Sequence, residues 1–196
     1  MKSEAIPVGK NPENIQRRLT AGLGLIILLL STGSSYGATA KEINVGVDAA
    51  LETFSKKVVG TDDLIRKAKG ILVFPTVIKA GFFLGGEYGE GALRVKGKTV
   101  DYYNTVAASI GFQLGAQAKT VILAFMTNKA LTQFRHSEGW EAGVDGSVAL
   151  ITVGAGSSIN TNNIKDPILA FVFGQKGLMY NLTLEGSKFT KMDKRK

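Results

Sequence analysis

Apolar residues recur at helical spacing in the first third of the chain. Steps of four, three and four residues place them on one stripe of a helix over about 47–59. The stripe consists of Val47, Leu51, Phe54 and Val58. Gly60 predicts the end of this helix, and Thr61 predicts the N-cap of a second one over 62–69. We therefore expect two short helices before the first strand.

Strand patterns dominate from Gly70 onward. Apolar residues alternate with small or polar ones over 111–119, whereas the run VILAFM at 121–126 is apolar throughout, which is typical of a central strand. Pro75 predicts the end of a first short strand, and the tripeptide KGK at 96–98 predicts a hairpin turn.

The second half of the chain adds a helix, a turn and a polar end. TNKALTQF at 127–134 predicts an inserted helix capped by Thr127 or Asn128. Its inward-facing residues are Ala130, Leu131 and Phe134. GQKG at 174–177 predicts a tight turn between the last two strands, and the tail 191–196 is expected to fray. The fold class that follows is α+β, an antiparallel-rich β-sheet or partly closed barrel with two N-terminal helices and one inserted helix.

The N-terminal forty residues have the order of an export signal. A basic region precedes the apolar run LGLIILLL at 23–30, and Ala38-Thr39-Ala40 gives a small-residue cleavage pattern. The run is roughly half the ~20 residues that a helix needs to span a bilayer. We expect residues 1–40 to be a signal peptide cleaved after Ala40 and 41–196 to be one exported domain, periplasmic or attached to the envelope. An uncleaved anchor is the alternative, and the secretion route, general or twin-arginine, is left open.

The segment GFFLGGEYGEG at 81–91 holds five glycines. It matches neither the phosphate loop of nucleotide hydrolases nor the dinucleotide fingerprint. Four of these glycines have odd numbers, which would place them on one face of an unbroken strand. The glycines expected to be structural are Gly81, Gly85, Gly86, Gly89, Gly91, Gly111 and Gly115. They predict either close approach of another layer or bulges at a sharp bend.

The amino-acid composition excludes several kinds of metal and catalytic site. The chain has no cysteine and one histidine, which excludes thiolate sites and clusters of imidazole ligands, so we expect no metal and no cofactor. The formal charge is +8, and without residues 1–40, which hold four basic and two acidic residues, it is +6. This excess favours an anionic partner, and for an exported protein a lipid surface is a better candidate than nucleic acid.

Four sequence blocks resemble the SYLF-domain family. They are GILVFPTVIKAGFFLGGEYGEG (70–91), IGFQLGAQ (110–117), ILAFMTNKALTQF (122–134) and KGLMYNLTLEGS (176–187). The resemblance implies a lipid-binding module; eukaryotic members bind phosphoinositides, and some fungal members bind actin. The chain departs from the family in its Tyr-Ser pair, which is replaced, and its only counterpart of the lipid-binding N-terminal helix is the 47–59 helix. Actin binding is not carried over.

The function expected from the sequence is therefore non-catalytic binding of anionic lipid in a bacterial cell envelope. The candidate lipid-binding residues are Lys56, Lys57, Arg66, Lys67, Lys69 and Lys79. A groove floored by Gly111 and Gly115, with Phe83 or Tyr88 on its walls, is a competing site.

Two other classes of protein remain as alternatives. One is an outer-membrane-associated structural β protein, which glycine, aromatic residues and alternation suit. The other is an enzyme, an alternative that we do not favour because we expect no residue of the chain to be catalytic. The only side chains that could serve as acid or base are Glu87, Glu90, Asp101, Asp145 and His136.

Overall fold

The structure, a computed structural model, describes residues 37–152, 159, 165–176, 184 and 186–194. The predicted signal peptide lies outside the described residues up to position 36. From Ala38 onward the chain belongs to one compact unit.

Three helices and six strands make up the described part of this unit. The helices are α1 Ala40–Lys57, α2 Thr61–Lys67 and α3 Asn128–His136. The strands are β1 Gly70–Val95, β2 Lys98–Phe125, β3 Trp140–Glu141, β4 Ala149–Thr152, β5 Ile168–Lys176 and β6 Lys188–Met192. They form one curled sheet in the order β3-β6-β2-β5-β4, with β1 paired to β2, and only β4 and β5 run parallel among these pairs. The predicted α+β class with its antiparallel-rich, partly closed sheet is confirmed.

The long β1–β2 hairpin organises the sheet. Lys96 and Gly97, with φ of 50° and 77°, form its two-residue turn, and Val95 pairs with Lys98 across it. Two positive φ values are what a tight hairpin turn needs, so the turn predicted at 96–98 is confirmed. Pro75, however, does not end a strand. The register shifts between Phe74 and Val77, and this irregularity accommodates a residue that has no N–H to donate.

Alternate residues of the strands feed two separate cores. The core on one face consists of strand residues packed with Phe134, Trp140 and Phe189; these strand residues are Leu72, Phe74, Leu93, Tyr103, Leu123, Phe125, Ala170 and Val172. The core on the other face consists of strand residues packed with the helix pair; these are Ile71, Val73, Ala92, Ile122, Ala124, Leu169, Phe171 and Phe173. The run 121–125 is buried on both faces and lies between β1 and β5, as predicted for a central strand.

The apolar stripe of α1 is core. Its buried residues are Ile43, Val47, Ala50 and Phe54, and Val58 follows them. The Phe54 ring lies 4.9 Å from that of Phe171 and 5.6 Å from that of Phe173. Gly46 brings the helix close to β1, because a Cβ there would lie 3.0 Å from Pro75 Cγ. The helix begins at Ala40, earlier than the spacing predicted.

The N-cap of α2 differs from the prediction, whereas that of α3 agrees with it. Thr61 is the first residue of α2 rather than its N-cap, and its hydroxyl donates to Val58 O at 2.6 Å in a buried position. The N-cap is Gly60, whose φ of 90° suits glycine. For α3 the cap is Thr127, which accepts from Ala130 N at 3.2 Å, and its three predicted inward-facing residues are buried.

Two predictions about the C-terminal part are wrong. The stretch 174–176 is not a turn but the end of β5, where Gly174 has φ of 70° beside a register shift in the pairing with β2. Such a glycine makes a bulge within a strand. The tail is partly fixed, because β6 extends to Met192 and Lys194 Nζ donates to Ala38 O at 2.9 Å.

The start of α1 gives a test of where the folded domain begins. Thr39 and Glu42 form a capping box, in which Thr39 Oγ1 accepts from Glu42 N at 3.2 Å and Glu42 Oε2 accepts from Thr39 N at 2.7 Å. A chain beginning at Lys41 lacks this cap and adds an ammonium group at the positive end of the helix. We predict that it unfolds with a free energy about 0.5–2 kcal/mol lower than a chain beginning at Ala38. Urea denaturation of the two chains measures the difference, and equal midpoints would contradict the role of the cap.

Candidate functional site

Five of the six predicted lipid-binding residues lie on the solvent-facing side of the helix pair. Lys56 and Lys57 end α1, Arg66 and Lys67 end α2, and Lys69 follows. All five are exposed. We call them the helix-pair basic patch. Because the apolar stripe of α1 is packed on the sheet, α1 does not present that stripe for insertion into a membrane.

Acidic neighbours lower the net positive charge of this patch. Lys56 Nζ lies 2.6 Å from Glu52 Oε1, whereas Arg66 Nη2 and Lys67 Nζ each lie 2.9 Å from an oxygen of Asp63. Residues 40–69 hold six basic and five acidic residues, a net charge of +1. Exposed ion pairs within helices contribute only about 0–1 kcal/mol, so these lysines can exchange one anion for another.

Lys79, the sixth predicted residue, is not part of this patch. Its side chain is only 12% exposed, and its Nζ lies 3.6 Å from Glu87 Oε1. The other Glu87 oxygen lies 2.6 Å from Nζ of Lys119, whose side chain is 3% exposed. The three residues form a nearly buried cluster inside the β1–β2 hairpin, which we call the Lys79–Glu87–Lys119 cluster.

Sequence reasoning missed this cluster. Lys79 and Glu87 are eight residues apart in one strand, and a straight strand of that length spans about 27 Å. The short contact therefore shows that β1 turns back on itself between them. The available signal was that Lys79 and Lys119 are each placed close to a run of apolar residues, VI at 77–78 and VILAF at 121–125.

Two of the predicted glycines lie where the hairpin folds back. A Cβ on Gly89 would lie 2.8 Å from Val77 Cγ2 and 2.9 Å from Thr76 O. A Cβ on Gly91 would overlap Val73 O and lie 2.7 Å from Phe74 Cδ1. The second half of β1 thus passes directly over the first.

The other predicted glycines have different surroundings. Gly86 is exposed, and a Cβ there would meet only Ala107 O, at 3.8 Å. Gly85 pairs with Ser109, and Gly81 pairs with Gly115. Gly111 pairs with Phe83, so these two backbones of the proposed groove lie side by side, whereas the Phe83 side chain falls outside the described residues.

An apolar strip is exposed beside the bend of the hairpin. Tyr88 and Val106 are cross-strand partners, each 49% exposed, and Ile78 on the same hairpin is 51% exposed. Ala80 and Ala108 are exposed as well. We call these five residues the hairpin apolar strip. Because neighbours in a strand point to opposite faces, Ile78, Ala80 and Tyr88 lie on the other face of the hairpin from Lys79 and Glu87.

The end of the chain is fixed next to this strip. Tyr88 Oη donates to Glu90 Oε1 at 2.7 Å, and Lys194 Nζ lies 3.3 Å from Glu90 Oε2. Burial of its ring, with the hydrogen bond to Glu90, raises the pKa of Tyr88 to about 12. Lys194 thus joins the N-terminus of α1 to the second half of β1.

The remaining acid–base candidates are held by separate partners. Asp101, which is buried, lies 3.0 Å from Arg135 Nε and 2.5 Å from Lys191 Nζ. Asp145 accepts from Glu141 N at 2.7 Å, and the exposed His136 ring lies 2.8 Å from Thr132 O. In the described parts of the chain no group of three or more acidic or histidine side chains is placed to hold a metal ion.

A cleft of about 360 Å³ lies between α3 and the segment before β4. Trp140 and Ile168 contribute apolar surface, and Lys129 and Asp145 contribute charges of opposite sign. Since Asp145 already binds a backbone amide, the cleft lacks a convergent set of reactive groups.

The helices give no sign of a membrane span. Across the parts of the chain that the structure describes, none of them is both long enough and apolar enough to cross a bilayer.

One protein-family model matches the chain. Residues 106–195 match the Ysc84 family, which is the SYLF-domain family and is described as "Las17-binding protein actin regulator". The matched region begins within β2 and extends beyond β6, and it contains three of the four sequence blocks noted above. No curated protein matches the chain.

The fold-back of the hairpin predicts unequal effects of adding one methyl group. Gly89→Ala and Gly91→Ala force an overlap with backbone atoms of the first half of β1, so we expect each to lower the free energy of unfolding by about 1–3 kcal/mol or more. Gly86→Ala is the matched control on the same strand, where the added group has room. Thermal and urea unfolding of the three variants measures this, and equal losses at all three sites would contradict the close approach.

The Tyr103 hydroxyl predicts a stabilising substitution. Tyr103 is 1% exposed, and its hydroxyl has no hydrogen-bond partner among the described residues. Burial, with the nearby Asp101 carboxylate, raises its pKa to about 12. Tyr103→Phe removes an unsatisfied polar group, so we expect the free energy of unfolding to rise by up to about 1–3 kcal/mol.

The same residue predicts behaviour at alkaline pH. Because the folded pKa lies above the unfolded value of about 10, the folded state holds this proton to higher pH, and the stability of the fold decreases as pH rises from about 10 towards 12. Ultraviolet titration of the wild type should show late ionisation of Tyr88 and Tyr103, and Tyr103→Phe should remove one of the late phenols. An unchanged titration curve, or a destabilised variant, would contradict this assignment.

Proposed function

The chain belongs to the SYLF-domain family, and on that premise we propose that it is a non-catalytic module that binds anionic lipid surfaces. We also propose that it does so as an exported protein of the cell envelope, which its N-terminal sequence supports. The observation that carries the proposal is the orientation of the helix pair, whose apolar face is buried and whose five basic residues face solvent.

The strength of such binding follows from the charges. Each basic residue close to an anionic leaflet contributes roughly 1 kcal/mol. Five of them, diluted by Glu52 and Asp63, correspond to a dissociation constant near the millimolar range. Binding through the helix-pair basic patch is therefore weak, reversible and sensitive to salt.

The absence of a catalytic role is part of this proposal. The acid–base candidates of the sequence are each engaged by a lysine, an arginine or a backbone group. Their partners are those expected of structural ion pairs and capping contacts.

Charge reversal within the patch tests the lipid-binding role. Lys57 and Lys69 are exposed and form no ion pair with the described residues, so Lys57→Glu with Lys69→Glu changes the charge without breaking an ion pair among them. We expect the double variant to bind phosphatidylglycerol vesicles about tenfold more weakly than the wild type or worse. Wild-type binding should itself fall as added salt shortens the Debye length from about 10 Å at 0.1 M to about 3 Å at 1 M.

A control of equal charge keeps the test specific. Lys98→Glu with Lys129→Glu makes the same change at the hairpin turn and on α3, and it should reduce binding much less. Lys194 is unsuitable as a control because it binds Glu90 and Ala38 O. Vesicle sedimentation with the full chain, alongside melting temperatures, provides the measurement. If the patch variant binds as tightly as the wild type, the helix-pair basic patch is not the lipid-binding surface.

A further inference from the structure

The Lys79–Glu87–Lys119 cluster carries an unbalanced charge in a nearly buried place. Two ammonium groups share one carboxylate, and the exposed fractions of the three side chains are 12%, 10% and 3% in chain order. The stretches that complete the bend, 80–86 and 108–116, contain no acidic residue. Glu90, the next acid along β1, binds Tyr88 and Lys194 instead. Counted over the described residues and these two stretches, the cluster therefore has a formal excess of one positive charge.

The two lysines are not equivalent. Lys119 is within hydrogen-bonding distance of Glu87 Oε2, at 2.6 Å, and is enclosed. Lys79 Nζ lies 3.6 Å from Glu87 Oε1, beyond the distance of a hydrogen bond. No hydrogen-bond acceptor is recorded for Lys79 Nζ among the described residues, although an ammonium group has three donors. Among the described residues Lys79 is thus the more loosely held of the two lysines, and its side chain is 12% exposed.

A buried charge without a counter-charge is costly, and proteins remove that cost by pairing the charge with another ion. One excess positive charge matches a monoanion. Lysine is a common phosphate ligand, which it binds as a point charge.

We infer that the Lys79–Glu87–Lys119 cluster is a binding site for a singly charged phosphate group. In this site Lys119 and Glu87 form the fixed ion pair, and Lys79 donates to the phosphate oxygens. The site is separate from the helix-pair basic patch and does not depend on it.

Two sources can supply this phosphate: free inorganic phosphate and the phosphodiester of a lipid headgroup. A phosphodiester bears one negative charge, which equals the excess of the cluster.

The experiment compares both sources on the full chain. Inorganic phosphate is titrated at constant ionic strength, kept with chloride, while calorimetry and the melting temperature report binding. The same proteins are then sedimented with vesicles of phosphatidylglycerol and of phosphatidylcholine. The variants are Lys79→Met, Lys79→Arg, and Lys98→Met as an exposed control.

We expect Lys79→Met to weaken binding of the phosphate group at least about tenfold, which is the loss of one charge-assisted contact of roughly 1.4 kcal/mol. Lys79→Arg and Lys98→Met should retain binding. Because Lys119 still neutralises Glu87, Lys79→Met without phosphate should melt no lower than the wild type. A lower melting temperature would mean that Lys79 is needed for the ion pair itself, and would count against the inference.

The outcomes separate this site from the patch. Saturable binding of inorganic phosphate that depends on Lys79 and survives Lys57→Glu with Lys69→Glu supports the site even if the patch proposal fails. Dependence on Lys79 with vesicles alone supports it with a lipid phosphodiester as the source. If Lys79→Met binds both phosphate and vesicles like the wild type, or if neither binds in a way that depends on Lys79, the inference is wrong.

Discussion

Close packing of β1 against itself is the constraint on which the rest of this structure depends. A straight strand of 26 residues would extend about 85 Å, whereas a compact domain of this size has a radius of gyration of about 15 Å. The strand must therefore fold back, and it does so where Gly89 and Gly91 leave room for the backbone of 73–77. Because β2 pairs with β1 along its length, β2 follows the same path. One part of β2 then pairs with β5 and another with β6.

The fold-back also decides where the charges lie. It brings Glu87 to Lys79 and Lys119 in a place that solvent barely reaches. Replacing buried ion pairs by apolar residues is often neutral or stabilising. The stability of the fold alone therefore gives no reason for two lysines and one glutamate here, which is why we assign the cluster a role in binding.

The helix pair has its apolar residues on one side and basic residues on the other. Its apolar residues cover one face of the sheet, where Phe54 meets Phe171 and Phe173. The basic residues of the pair remain accessible. The proposed binding of an anionic surface through the helices is therefore electrostatic.

The sequence by itself determined the features that depend on neighbouring residues. The helix pair, the turn at 96–97, the central strand 121–125 and the inserted helix α3 all follow from spacing, caps and turn residues. The tertiary structure alone decided features that depend on residues distant in the chain. Pro75 and Gly174 lie within strands because the pairing with β2 tolerates a bulge at each. Lys79 lies outside the helix-pair basic patch because the folded hairpin places its side chain next to Glu87. No local pattern encodes that contact between two halves of one strand.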